Sequence, residues 1–232
     1  MAAFRGASAY YQHINRWGGV FGREISLLVE DHAFETDRAR ESARKLVEDE
    51  EVFAIVSPLG TEPNLAVMDY FLAENIPVIS PHSGISTWSK PLQKTYFALQ
   101  PSYEIEGRIL AQYVLEEHSS RSIGVLAVDD RYGGEGSQAF LSELQNHDRN
   151  AVTHIEHQPG ESRPDRWLEA FRSAGADLVL LYTYVKPAAD LLREAHQENY
   201  HPVWFGSYVI SGPDLLQFAG SQAAQGLRAT SY

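Results

Sequence analysis

Ile123-Gly-Val-Leu-Ala-Val128, running on through Asp129-Asp-Arg-Tyr-Gly-Gly-Glu-Gly136 into Ser-Gln-Ala-Phe-Leu-Ser-Glu-Leu-Gln145, decides how the rest of the chain is read. The first segment is apolar throughout and does not alternate. That is the pattern of a strand covered on both faces, as in a parallel sheet with helices above and below. Gly136–Gln145 then reads as the helix that carries the chain back to the next parallel strand.

The same rhythm continues in both directions. Downstream, strands are expected at Val152–His157, Leu178–Leu181, Val203–Phe205 and Gly226–Thr230, with helices at Asp165–Ala174, Pro187–Glu198 and Pro213–Ala219. Upstream, strands are expected at Ile25–Val29, Val52–Val56, Ile76–Ile79 and Tyr96–Leu99. Helices are expected at Thr36–Glu48, at Pro63–Glu74 with Thr61 as a cap, and at Glu104–Glu117 with Ile105, Ile109, Tyr113 and Val114 in one stripe. Strand and helix alternation predicts an α/β protein. Gln100-Pro-Ser102 separates two groups of elements, so the expectation is two Rossmann-like parallel-sheet lobes, residues 1–101 and 102–232.

Composition removes several function classes. The 232 residues carry 19 Lys and Arg against 31 Asp and Glu, a net charge of −12, which disfavours nucleic acid and anionic membranes as partners. No apolar run is long enough to cross a bilayer. Cysteine is absent, so thiol catalysis, disulfides and thiolate metal sites are excluded. The start at Met1 has no basic stretch, apolar core and cleavage site, so this stretch is not expected to be a signal peptide: either the protein stays inside the cell or its beginning has been lost.

Ligands of open α/β sheets collect at the carboxyl ends of the strands. Here those ends read Ser57-Pro-Leu-Gly-Thr61, Ser80-Pro-His-Ser-Gly84, Asp129-Asp-Arg-Tyr-Gly133, Tyr182-Thr-Tyr184 and Gly206-Ser-Tyr208. Hydroxyls, glycine and tyrosine suit a hydrogen-bonding cleft, since exposed backbone N–H groups hold a carboxylate and a tyrosine offers an apolar face with one polar tip. Each residue taken singly also fits a turn or a half-buried packing role. There is no nucleophile–base pair, no dinucleotide or P-loop glycine pattern and no nucleophile elbow. His154 and His157 lie three apart on a strand and face opposite sides, so they cannot share a metal. Asp129-Asp130 reads as a helix-capping turn. No metal, cofactor or catalytic residue is expected, and the chain is not expected to be an enzyme.

The stretch Asn15-Arg-Trp-Gly-Gly-Val-Phe-Gly-Arg-Glu-Ile-Ser-Leu-Leu-Val-Glu-Asp31 resembles the opening of the type I periplasmic binding proteins, in the branch that serves branched-chain amino acid and amide ABC importers. Ala43-Arg-Lys-Leu-Val47, Ala54-Ile-Val-Ser-Pro58, Ile76-Pro-Val-Ile-Ser-Pro81, Pro101-Ser-Tyr103 with Glu106-Gly107, Asp130-Arg-Tyr-Gly133 and Gly175-Ala-Asp177 follow in the family's order. The resemblance implies two lobes closing on a small solute without chemistry. That solute would be an amino acid, amide or aromatic acid, delivered to a membrane permease from the periplasm or from a lipid-anchored extracellular position. It implies first-lobe contacts at Thr61, His82, Ser83 and Gly84 and second-lobe contacts at Tyr132, Tyr184 and Tyr208. A cytoplasmic ligand-sensing regulator of the same bilobal fold is the alternative.

Two departures from the family pattern matter. Members that bind α-amino acids place an acidic residue where this chain has Tyr208, and a buried ammonium without a counter-charge costs several kcal/mol. An aromatic acid, an amide or another ligand without a charged amine is therefore a competitor to leucine. The chain also lacks the family's first strand and its return to the first lobe after Thr230. It reads as a fragment with an incomplete first lobe, uncovered sheet edges and weak binding on its own.

Overall fold

The computed structural model describes residues 2–232, with side chains from Phe4 onward, so Met1 lies outside the described residues. The chain divides into two compact units. One runs to His82 and takes back Gln93–Leu99, and the other holds Ser83–Leu92 and Gln100–Tyr232.

The second unit is a five-stranded parallel sheet in the order β5-β4-β6-β7-β8, formed by β4 (Ile123–Val128), β5 (Thr153–His157), β6 (Leu178–Tyr182), β7 (Val203–Gly206) and β8 (Arg228–Ala229). Its helices are α4 (Tyr103–Glu117), α5 (Arg131–Asn146), α6 (Pro164–Ser173), α7 (Val185–Gln197) and α8 (Pro213–Ala219). Every residue of β4 and β6 is buried, as an unalternating apolar run requires, and Leu126 pairs with Ile155 on one side and Leu181 on the other. β5 is an edge strand and alternates, with His154 exposed and His157 buried on the opposite face. One core layer is built from Leu126, Val179, Leu181, Phe171, Leu191 and Trp204.

One element of the second unit departs from the sequence expectation. In α4 the stripe Ile105, Ile109 and Tyr113 is not the core face, Ile109 being 54% exposed. The buried face is Tyr103, Glu106, Gly107, Leu110, Ala111 and Val114. Packing reversed the reading because α4 lies against α5 at Gly107, where a side chain would meet the Gly136 carbonyl oxygen at 2.3 Å. Helices that approach this closely put their smallest residue, not their most apolar one, at the crossing. The Asp129-Asp130 turn does cap a helix, Asp130 Oδ1 accepting the Gly133 N–H at 2.9 Å.

The first unit carries a three-stranded parallel sheet of β1 (Ile55–Val56), β2 (Val78–Ile79) and β3 (Tyr96–Phe97), in that order. Its helices are α1 (Ala2–Arg16), α2 (Thr36–Arg44), continued by a π-helical turn Lys45–Asp49, and α3 (Thr61–Ala73). Thr61 is the first residue of α3 rather than its cap, because Gly60, at φ +91°, makes the turn into the helix. The expected strand Ile25–Val29 is not formed. A strand exists through its ladder, and here the Ile25 backbone is satisfied instead by the Asn15 side-chain amide, at 2.8 Å in both directions. Leu28 and Val29 are about half exposed, and Phe53 is 91% exposed.

Candidate functional site

In the first unit, the turns after β1 and β2 hold each other. His82 N–H donates to the Pro58 carbonyl at 2.8 Å and Gly60 N–H to the His82 carbonyl at 3.2 Å. Asn64, buried, donates from Nδ2 to the carbonyls of Pro58 and Gly60. Ser57 and Ser80, each directly before a proline, sit at φ +52° and +53°, a left-handed backbone that non-glycine residues rarely adopt. These turns bring Thr61 and His82 to the same edge of the small sheet. Thr61 is buried, and partial burial holds the His82 imidazole below the usual histidine range, favouring the neutral ring.

In the second unit, Ser83 and Gly84 lie with the tyrosines. The Gly84 carbonyl accepts the Tyr103 N–H at 2.7 Å, and a side chain at Gly84 would stand 2.9 Å from Tyr208 Oη and 2.7 Å from the Pro101 carbonyl oxygen. The structure therefore groups Ser83 and Gly84 with Tyr208, and Thr61 with His82.

Tyr208, Tyr103, Tyr132 and Tyr184 form a continuous chain of rings. Tyr208 stacks on Tyr103 at 5.9 Å, Tyr103 tilts against Tyr132 at 4.9 Å, and Tyr132 against Tyr184 at 5.6 Å. Tyr182 and Tyr232 extend it, contacting Tyr132 and Tyr208. The hydroxyls are fixed. Tyr132, 1% exposed, donates to Ser207 Oγ at 2.9 Å and lies 3.3 Å from the Thr183 carbonyl. Tyr184 donates to Asp130 Oδ2 at 2.6 Å, the carboxylate that also caps α5. Tyr208 donates to Gln100 Oε1 at 3.4 Å. Burial drives the phenols of Tyr132, Tyr182 and Tyr208 far above the ordinary tyrosine range, so they are neutral donors and apolar faces rather than nucleophiles.

Two buried groups beneath this chain escaped the reading of strand ends. Glu106 of α4, 4% exposed, accepts the Tyr208 N–H at 2.8 Å through Oε1, which also takes the Thr230 hydroxyl. Glu106 lies beside the Tyr182 hydroxyl and forms no ion pair among the described residues. Burial raises its carboxyl above the usual range. Its position three residues after Tyr103 and four before Leu110, on the core phase of α4, is the signal that would have found it. His157, at the end of β5, holds Thr183 Oγ1 at 2.7 Å through Nε2, with Nδ1 2.9 Å from the Gln158 carbonyl. Burial lowers its pKa, so the ring is neutral and can accept from Thr183. No group of three His, Asp or Glu side chains placed to hold a metal occurs among the described residues, and no helix there is long and apolar enough to cross a membrane.

A periplasmic binding protein family model matches residues 1–232, and the chain belongs to that family of binding proteins. It is similar to the leucine-, isoleucine-, valine-, threonine- and alanine-binding protein of Pseudomonas aeruginosa, 23% identical over 97% of this chain and 60% of that protein. It is also similar to Leu/Ile/Val-binding protein homolog 3 of Brucella melitensis, 21% identical over 94% of this chain and 59% of that protein. Among solved structures, it shares its fold with the branched-chain amino acid transporter substrate-binding protein of Streptococcus pneumoniae in complex with isoleucine. That likeness has a TM-score of 0.85 at 21% identity and covers 96% of this chain and 63% of the other. The chain spans about three fifths of the length of the curated relatives it matches.

Proposed function

We propose that this chain belongs to a non-catalytic solute-binding protein of an ABC importer, working in the periplasm or at the outer face of the membrane and passing its solute to a permease. The single observation that supports this reading most is the meeting of Gly84, Tyr208 and the ring chain through Tyr103, Tyr132 and Tyr184 at the carboxyl ends of β4, β6 and β7. The second unit offers Ser83, Gly84, Tyr184 and Tyr208 as contacts, with Tyr132 holding the loops after β6 and β7 from behind. Taken by itself, the first unit presents Thr61 and His82 at the carboxyl ends of β1 and β2. Family membership and the names of the relatives point to small amino-acid-like solutes.

Within that class, the tyrosine wall favours an aromatic acid or amide. Position 208 offers no side-chain carboxylate to a ligand ammonium, whereas stacked phenols offer apolar area and neutral hydroxyls. Thermal unfolding is measured with phenylacetate, phenylacetamide, L-phenylalanine and L-leucine, on this chain and on the same chain extended by its flanking coding sequence. A ligand at 100 times its Kd stabilises by about 2.7 kcal/mol. Phenylacetate or phenylacetamide is expected to shift the transition more than L-leucine, and Tyr208→Ala is expected to abolish the shift. Stabilisation by L-leucine alone would overturn the ligand class, and no shift with any of the four would overturn solute binding.

A further inference from the structure

Ser83–Leu92 is bracketed in sequence by stretches of the first unit, yet it packs with the second. One side chain ties it to α5 through three hydrogen bonds. Glu135, on the first turns of α5, accepts the Ser86 N–H through both oxygens, at 3.0 and 3.2 Å, and the Ser86 hydroxyl at 3.0 Å. Its Oε1 also takes the Glu104 N–H at 3.3 Å, an otherwise unsatisfied donor in the first turn of α4. The Tyr103 N–H also donates to the Gly84 carbonyl, and Lys90 forms an exposed ion pair with Glu104 at 2.7 Å. The segment is stiff in itself: Trp88 donates from Nε1 to the Ser83 carbonyl at 2.8 Å, and the Ile85 N–H reaches Ser83 Oγ.

Glu135 is partly buried and forms no ion pair among the described residues. A carboxylate withdrawn from water without a cation is costly unless donors replace the water it lost. Here the donors come from two separate pieces of chain, the Ser86 N–H and hydroxyl and the Glu104 N–H. A group that is costly to keep and that joins three segments is a fastening point, and what it fastens carries Ser83 and Gly84.

We propose that Glu135 is a positioning residue for solute binding, anchoring Ser83–Leu92 to α5 and α4 so that Ser83 and Gly84 are set against Tyr208. The inference rests on the solute-binding reading for its function, but the anchor itself is independent of any ligand. Loss of the carboxylate removes the bonds to Ser86 and Glu104 and loosens the middle of the segment, while the Tyr103 N–H still holds the Gly84 carbonyl and Lys90 still pairs with Glu104. Glu135→Gln keeps one oxygen able to take the Ser86 and Glu104 N–H groups, and its amide can donate to the Ser86 hydroxyl.

Amide hydrogen exchange of wild type, Glu135→Ala and Glu135→Gln, resolved by peptide without ligand, tests the anchor. Glu135→Ala is expected to speed exchange across 83–92 by about tenfold or more while β4 and β6 keep wild-type rates, with Glu135→Gln close to wild type. Unchanged exchange in 83–92, or equal acceleration throughout the second unit, overturns it. Calorimetry with phenylacetamide and L-phenylalanine reads the consequence: affinity for whichever probe wild type binds should fall several-fold in Glu135→Ala and recover in Glu135→Gln. Faster local exchange with unchanged affinity overturns the positioning role. Wild type binding neither probe counts against the solute-binding reading, while the exchange data still decide the anchor.

Discussion

Glu106→Ala is expected to lower the unfolding free energy by about 2–4 kcal/mol, because it strips the half-buried Tyr208 N–H and Thr230 hydroxyl of their acceptor, each orphaned group costing about 1–3 kcal/mol. Glu106→Gln separates that loss from the charge. The amide keeps an acceptor for the same donors, and its NH2 faces the Tyr182 hydroxyl, beside which the buried carboxylate Oε2 now lies. The pH dependence has a definite sign. Burial raises the folded-state pKa above the unfolded value, so the folded protein holds the Glu106 proton more tightly. That contribution to stability is fully present below the unfolded carboxylate pKa and is lost as pH rises through the folded one. Urea titrations should therefore show Glu106→Gln gaining on wild type from acid to neutral pH. A difference that stays constant with pH, or moves the other way, would sink this assignment.

Gly107→Ala is expected to cost about 1–3 kcal/mol, the usual range for overpacking a tight contact. The new methyl would lie 2.3 Å from the Gly136 carbonyl oxygen and 3.0 Å from the Phe140 nitrogen, both backbone atoms that cannot rotate away, so α4 and α5 must separate. Helix propensity works in the opposite direction, worth about 1 kcal/mol in favour of alanine, and the packing term has to exceed it. Gly134→Ala on α5 isolates the propensity term. Nothing stands within 4 Å of its added carbon, and it should stabilise by up to about 1 kcal/mol. Denaturation midpoints moving in opposite directions for the two substitutions are the expected result; equal shifts would mean that the crossing is not where the constraint lies.

The strands of the second unit were legible because burial on both faces leaves a mark that needs no partner to be read: Ile123–Val128 and Leu178–Leu181 are apolar without alternation. Ile25–Val29 has much the same composition and forms no strand, since a ladder depends on a neighbour that composition does not specify. The stripe on α4 was misread for a related reason. Ile105, Ile109 and Tyr113 have helical spacing and the right chemistry, but the crossing at Gly107 selects the opposite face. At the candidate site, Tyr132, Tyr184 and Tyr208 could be named from their places after strands, while Tyr103, Glu106 and Glu135 could not. Those three stand in helices, and their relation to the loops is made by long-range packing. The association of Ser83 and Gly84 with the second unit has the same origin, in bonds to residues 103 and 135 that adjacency in sequence conceals.

The tyrosine chain also gives the protein an optical titration of its own. An unfolded phenol ionises near pH 10 and changes its ultraviolet absorbance as it does so. Tyr132, Tyr182 and Tyr208 are held neutral well beyond that point by desolvation, with Tyr70 and Tyr200 pushed up to about 12. Folded pKa values above the unfolded ones mean that these phenols favour the native state below about pH 10 and oppose it above. In alkali, accessible tyrosines ionise first and gradually. The enclosed ones stay spectroscopically silent until the second unit opens, and then ionise together, so one absorbance trace records both the solvent barrier around the candidate site and its cooperative collapse.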